Sequence, residues 1–527
     1  MAHRARRYCM VAFALLAGLT LQAEAQTFSN SAVRAPWRLS FAITFDQTVR
    51  SADLLFENAS KQYKNGIDVQ RDYFARPPLA DFSIEAGSAL PGVQGFGVAA
   101  HVSVKPEWQG DYFRSDNLPL ANGSTSVEGN LFSRSVVYWK ARSAGIAFGR
   151  DRVDYNGILE GGLLPSSRIP WYDALRGYGR LGHFSLDSMI ATIPAVKAWD
   201  GNDVSPEPGY GFETDKTPTT IVEAMSKITW TFGPESSADQ ERPVAFDPAR
   251  SLSPGQFSLS AADHAMMARY NNRFYLTDLF PLISRHQASV PQTNNSMVLT
   301  AAWQPFPWLA LSGQAGFDDI NLNTIGVSDT ATPTIDAYVL GAQFSFPRAM
   351  SHAYIEAGIT HWLWGNYDGT QAQPNDVNYF LRFIYRYPRY LGGSILLPLT
   401  SPYGPGVRWI ASHGEIAFGN AEGARPISAA RRTGASQWGF SLGYRLLYLD
   451  LNTEANLIDT KIYNNTTTEH APRSYNVLAS IPISLTFGAL SGTIEPAYLW
   501  HDGQSAFELE MSLTYRMHAG TYTRVNP

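Results

Sequence analysis

The run Phe507-Glu508-Leu509-Glu510-Met511-Ser512-Leu513-Thr514-Tyr515-Arg516-Met517 alternates apolar and polar residues without a break. Strict alternation specifies a strand with one apolar and one polar face. Trp37, Leu39, Phe41, Ile43 and Phe45 repeat the pattern against Arg38, Ser40, Ala42, Thr44 and Asp46, and Trp438, Phe440, Leu442, Tyr444 and Leu446 repeat it against Gly439, Ser441, Gly443 and Arg445. Ile481, Ile483, Leu485 and Phe487 give another strand, and Tyr379, Leu381, Phe383, Tyr385 and Tyr387, opposed by Arg382 and Arg386, one more. After Leu446 the apolar phase slips by one, to Leu447, Leu449 and Leu451, which predicts a tight turn or a bulge.

Such strands fit either a soluble sandwich, with the apolar face in a core, or a membrane barrel, with that face on lipid. The barrel is favoured. The strands are about ten residues long, the length a tilted strand needs to cross a bilayer. Their polar faces carry Arg, Glu and Asp, which suit a wet lumen. Aromatic residues stand at strand ends (Trp37, Tyr387, Trp438, Tyr444, Trp500 and Tyr515), where interfacial girdles belong. Gln304-Pro305-Phe306-Pro307 reads as a turn between two apolar runs.

Composition agrees. Charged residues are 17% of the 527, aromatics 13%, and the formal charge is −5, which excludes disorder and a basic nucleic-acid surface. Residues 1–25 read as an export signal: Arg4, Arg6 and Arg7, an apolar run from Met10 to Leu21, then Ala23-Glu24-Ala25. The one cysteine, Cys9, lies within it, so disulfide and thiolate chemistry are not expected. Residues 26–527 are then one barrel, with about 16–20 strands at roughly 25–30 residues per strand and connection. The proline-rich stretch of about 199–260 reads as a long loop, with short helices expected at Thr220–Lys227 and after Ser260, where Asp263 completes a capping box.

Two stretches resemble the Wzi family of capsule assembly proteins. One runs through Ala147-Phe148-Gly149-Arg150-Asp151-Arg152, Asn156-Gly157-Ile158-Leu159, Leu163-Leu164-Pro165-Ser166-Ser167 and Pro170-Trp171-Tyr172-Asp173-Ala174-Leu175-Arg176. The other is Phe317-Asp318-Asp319-Ile320. The Trp-Gly-Pro that often follows the family's Gly-Arg element is replaced by Val153-Asp154-Tyr155-Asn156-Gly157, and the family's His-Arg-Leu segment is not evident. The resemblance implies about 18 strands, a lumen closed by helices or loops, and lectin-like contact with glycan. With it, the expected fold is all-β: a single antiparallel transmembrane barrel of about 16–18 strands in the outer membrane of a diderm bacterium.

Arg150, Asp151, Arg168, Trp171, Tyr172, Asp173 and Arg176 are the candidate glycan-binding residues. Aromatic faces stack on sugar rings, and carboxylates and guanidinium forks bond hydroxyls. The competing reading is a salt-bridged network in which these charges neutralise one another in the lumen. Asp318 and Asp319 could meet a cation at a strand end, but adjacent strand residues face opposite sides. His183, Ser185 and Asp187 share a strand face in a triad-like spacing, while a hydrolase also needs a base in reach and an oxyanion hole. Neither a metal-ligand spacing nor a phosphate loop is found, so no cofactor and no enzymatic activity are expected. The expected partners are outer-membrane lipid, the barrel assembly machinery and a surface polysaccharide, with a porin or solute channel as the alternative function.

Overall fold

The computed structural model describes residues 37–56, 66–90, 93–106, 116–118, 120–121, 124–125, 127–141, 143–194, 220–233, 252–269, 293–319, 334–346, 351–365, 382–388, 394–419, 438–455 and 470–521. The expected export signal lies outside them. Among the described residues, nineteen strand segments form one antiparallel sheet. Arg473–Ser480 and Ile483–Phe487 continue one line: both pair with Trp438–Asn452 on one side and Leu490–His501 on the other, in unbroken register. Pro482, which has no N–H to give to the ladder, separates them. The barrel therefore has 18 strands. Each pairs with the next along the chain, and the first, Trp37–Arg50, closes on the last, Gln504–Thr521, from Trp37↔Thr521 to Arg50↔Glu508.

The pleat sorts the side chains as the alternation requires. Phe45, Gln47 and Val49 are exposed on the outer wall, while Thr44, Asp46 and Thr48, which alternate with them, are buried inside. Connections such as 182–183, 307–308 and 488–489 are tight turns, all at one end. Connections 51–79, 152–171 and 361–406 are long and lie at the other. In outer-membrane barrels short turns face the periplasm and long loops the exterior. An aromatic girdle circles the turn end. Phe184 stacks on Trp230 at 5.3 Å, Trp230 meets Phe232 at 4.1 Å, Phe306 stacks on Trp308 at 5.2 Å, and Trp308 reaches Phe346 at 6.3 Å. An apolar outer wall ending in such a girdle places the chain in an outer membrane.

Three expectations are corrected. First, Thr220–Phe232 and Phe257–Arg269 are wall strands paired to each other, so the helices at Thr220–Lys227 and after Ser260 do not form, and the loop read over about 199–260 is interrupted by a strand. Ile221, Val222, Ala224 and Met225 are all buried, so the loop-end half of this strand lacks the alternation that marks it elsewhere. Second, the Tyr379–Tyr387 pattern is not a wall strand. Its described part belongs to a hairpin, Ile384–Pro388 against Ser394–Pro398, separate from the barrel sheet, and Tyr387 is buried rather than interfacial. Third, Trp438–Asn452 is one continuous strand with neither turn nor bulge at Leu446. The apolar phase changes because Leu449 and Leu451, on the inner face, are buried in an apolar core inside the lumen.

That core occupies the loop-end half of the barrel. It gathers Leu54, Phe56, Ile67 and Tyr73 from connection 51–79, Tyr155, Leu159, Leu163, Leu164 and Ile169 from connection 152–171, Trp364 and the hairpin, and the inner faces of the wall strands.

Candidate functional site

The segment Arg152–Pro170 joins the strands Ala144–Asp151 and Tyr172–Leu181 but does not lie over the rim between them. It folds into the lumen. Asn156 holds it in shape: its side-chain N–H donates to the Leu164 carbonyl at 2.8 Å and its oxygen accepts the Leu164 N–H at 2.9 Å. Gly157, at φ 68°, makes the reversal beside it. Asp154 accepts hydrogen bonds from the Asn156 N–H and the Ser167 hydroxyl, both at 2.9 Å, and burial raises its carboxyl above the usual range.

The segment is tied to walls around the barrel. Lys227 donates to the Tyr155 carbonyl at 2.8 Å, and the Tyr155 hydroxyl donates to Asp187 at 3.0 Å. The Leu163 N–H donates to Gln314 at 2.7 Å. On the next strands, Tyr354 accepts the Glu160 N–H at 3.1 Å, and Glu356, 1% exposed, accepts the Gly161 N–H at 2.9 and 3.1 Å. Glu356 also accepts the Tyr354 hydroxyl at 2.6 Å and the Trp409 indole N–H at 2.7 Å. Glycines at inner-face positions give the segment room. A Cβ at Gly341 would come within 2.6 Å of Leu159, and one at Gly316 within 2.9 Å of Leu163. Segment, hairpin and wall thus form a plug across the lumen.

Below the plug, toward the turn end, lies a cavity of about 650 Å³. Glu160 and Arg168 of the plug face it with a 3.1 Å ion pair, and His413 of the wall meets Glu160 at 2.8 Å. Burial works to raise the Glu160 carboxyl, but the His413 hydrogen bond and the Arg168 guanidinium prevail and hold it below the usual range. On the strand beside His413, Arg445 pairs with Glu495 at 3.0 Å, and Ser484 bonds Thr493 at 3.0 Å further round the wall.

The sequence-predicted residues fall into separate places. Arg150 and Asp173 form a two-pronged pair at 2.7 and 2.8 Å, and the Arg150 guanidinium lies 4.6 Å over the Trp171 ring. Trp171 is itself buried against Tyr387, at 4.9 Å, and Tyr172 is buried in the core. Asp151 pairs with Arg134 at 2.9 Å. Arg176 is buried near Asp187, at 3.8 Å, with its guanidinium 5.5 Å from the Tyr155 ring. Only Arg168 reaches the cavity. Most of these charges therefore neutralise one another, as the salt-bridge reading expects. Asp318 accepts the Gly365 N–H at 3.0 Å and so ties the 362–365 turn to the wall. Asp187 is held by Tyr155 while His183 sits in an exposed turn, so the triad-like spacing does not become a triad. Among the described residues no cluster of three or more metal-ligating side chains occurs. Sequence reading missed Glu160, Glu356, His413, Arg445 and Glu495. His352, Tyr354 and Glu356 do alternate with Ala353 and Ile355, a signal for polar groups pointing into the lumen.

Fold and site together define a class, the plugged outer-membrane β-barrel. No protein-family model and no curated protein matches the chain. Solved structures similar to it include Wzi from Escherichia coli, described as an outer-membrane protein involved in group 1 capsule assembly and a carbohydrate-binding β-barrel, at 10% identity over 92% of this chain and 85% of that one, TM-score 0.46. The outer-membrane protein OprD from Pseudomonas aeruginosa is similar at 10% identity over 92% and 94%, TM-score 0.40. OpdQ from the same organism is similar at 9% over 92% and 97%, TM-score 0.39.

Proposed function

We propose that this chain is a non-enzymatic, non-conducting outer-membrane barrel that binds surface polysaccharide and serves its assembly or attachment. One observation carries the reading: the Arg152–Pro170 plug is bonded to walls around the lumen and packed into an apolar core, an arrangement that supports a lumen closed to free diffusion. A general porin needs a continuous aqueous path. On this reading the function lies in what the barrel presents. The sequence resemblance across residues 147–176 supports glycan as the ligand, and the Arg150–Asp173 pair at the loop end of the wall offers a fork and a carboxylate for sugar hydroxyls.

The test is surface polysaccharide in a deletion strain, separated into cell-bound and shed fractions, beside conductance of the purified barrel in planar bilayers. A fall in the bound fraction with total synthesis unchanged, and a silent bilayer, is the expected outcome. Unchanged fractions together with steady ohmic conductance overturn the reading in favour of a solute channel.

A further inference from the structure

We propose that the cavity beneath the plug is a second ligand site, entered from the turn end, that takes an uncharged oligosaccharide from the periplasm. The ligand class rests on the glycan reading above; the position of the site does not.

The plug divides the lumen into unlike halves. Toward the loops, wall and plug form a dry core. Toward the turns, inner-face positions such as Ser441, Ser484 and Thr493 carry hydroxyls, are part-exposed and line the cavity. Its volume of about 650 Å³ lies within the range of small-ligand sites. Its lining carries Arg71, Arg168 and Arg445 against Glu160, Glu415 and Glu495, so its formal charges balance. Arg168 stands with Glu160 and Arg445 with Glu495, and the side chains of Arg168, Glu160 and Arg445 are 37%, 40% and 60% exposed. A guanidinium fork beside a carboxylate offers a donor and an acceptor at the spacing of neighbouring sugar hydroxyls. An acidic ligand would meet arginines whose charge a glutamate already balances, and would bring its own charge beside that glutamate. An uncharged polyol bonds to both partners and leaves each pair intact. Leu447 and Leu478 supply an apolar wall for the less polar face of a sugar ring.

A thiol placed in the cavity reports its occupancy. Cys9, the one native cysteine, is in the expected export signal, so Ser441→Cys gives a single reactive site once that signal is removed. The purified full-length barrel is labelled with a membrane-impermeant maleimide alone, with a neutral glucose trisaccharide, and with trigalacturonate. Labelling without sugar that slows about tenfold with the neutral trisaccharide and little with the acid is expected. Thr493→Trp, which fills the cavity, should abolish the protection. If Ser441→Cys fails to fold, Ser484→Cys replaces it. Absence of protection by either sugar overturns the site, and stronger protection by trigalacturonate overturns the ligand class. The deletion-strain test is independent. Altered surface polysaccharide with no protection leaves the surface reading standing and removes this one; protection with unaltered polysaccharide does the reverse.

Discussion

Glu356 is where the plug is most exposed to a single substitution. Its carboxylate accepts the Gly161 N–H, the Trp409 indole N–H and the Tyr354 hydroxyl, and it is buried. Glu356→Ala removes the acceptor for all three. Tyr354 can turn its hydroxyl elsewhere, but the Gly161 and Trp409 N–H groups have fixed directions and lose their partner. Each orphaned donor costs about 1–3 kcal/mol, so the closed plug loses about 2–6 kcal/mol. The barrel wall keeps its backbone ladder, so the loss falls mainly on plug against wall. At about 3 kcal/mol the released population rises by roughly two powers of ten. Release on this side would join the cavity below to the loop end. Single-channel recording should show a silent parent and frequent openings for Glu356→Ala, with Glu356→Gln between them because its amide oxygen still accepts one N–H. The reasoning is refuted if Glu356→Ala, folded by heat-modifiability on gels, stays as silent as the parent.

Other substitutions probe the same seat. A Cβ at Gly358 would stand 2.2 Å from the Trp409 ring, so Gly358→Ala should cost about 1–3 kcal/mol through overpacking, seen as a lower midpoint of thermal unfolding and as openings in the bilayer. Asn156→Ala removes the two bonds that join the limbs of the plug and one from Gln314, a loss of about 2–4 kcal/mol, and should make residues 152–170 a site of limited proteolysis in the folded barrel. The Glu160 carboxyl lies below its ordinary range, so its contribution is complete above that range and is lost as pH falls through the folded value. Openings should therefore increase as pH falls below the ordinary glutamate range, and Glu160→Gln should show the acid behaviour already at neutral pH.

How far the fold can be read in the sequence depends on what each wall segment faces. Trp37–Arg50 and Gln504–Thr521 lie between lipid and a polar interior, so their alternation is clean and names them as strands. Thr220–Phe232 has Ile221, Val222, Ala224 and Met225 buried on both faces near the loop end, and a segment apolar on both sides carries no period of two. Its spacing of apolar residues then imitates a helix. The hairpin at Tyr385 and Tyr387 is the converse case, alternating like a wall strand though it lies inside. At the site, the charged run from Arg150 to Arg176 was visible, but its pairing was not. Asp151 finds Arg134 and Arg150 finds Asp173 because adjacent strands set them side by side, and register is not written in a local motif.

The slip at Leu446 shows what such breaks report. Along Trp438–Asn452 the register with Val407–Gly419 is constant from Gly439 to Leu451, so nothing in the backbone changes where the apolar phase does. What changes is the medium on the inner face. Up to Arg445 the inward side chains meet the polar cavity, and from Leu447 onward they meet the plug. A strand that passes from a wet lumen into a packed one must exchange polar for apolar residues on its inner face while its backbone continues unaltered. Three further strands show the same exchange, since Val407, Trp409 and Ala411 are buried above Glu415 on one, Leu478 stands above Ser484 on the next, and Leu499 stands above Thr493 on the third. A phase change at one height on neighbouring strands therefore marks the floor of a plug, and its height here, at Leu447 and Leu478, is the level at which the cavity ends.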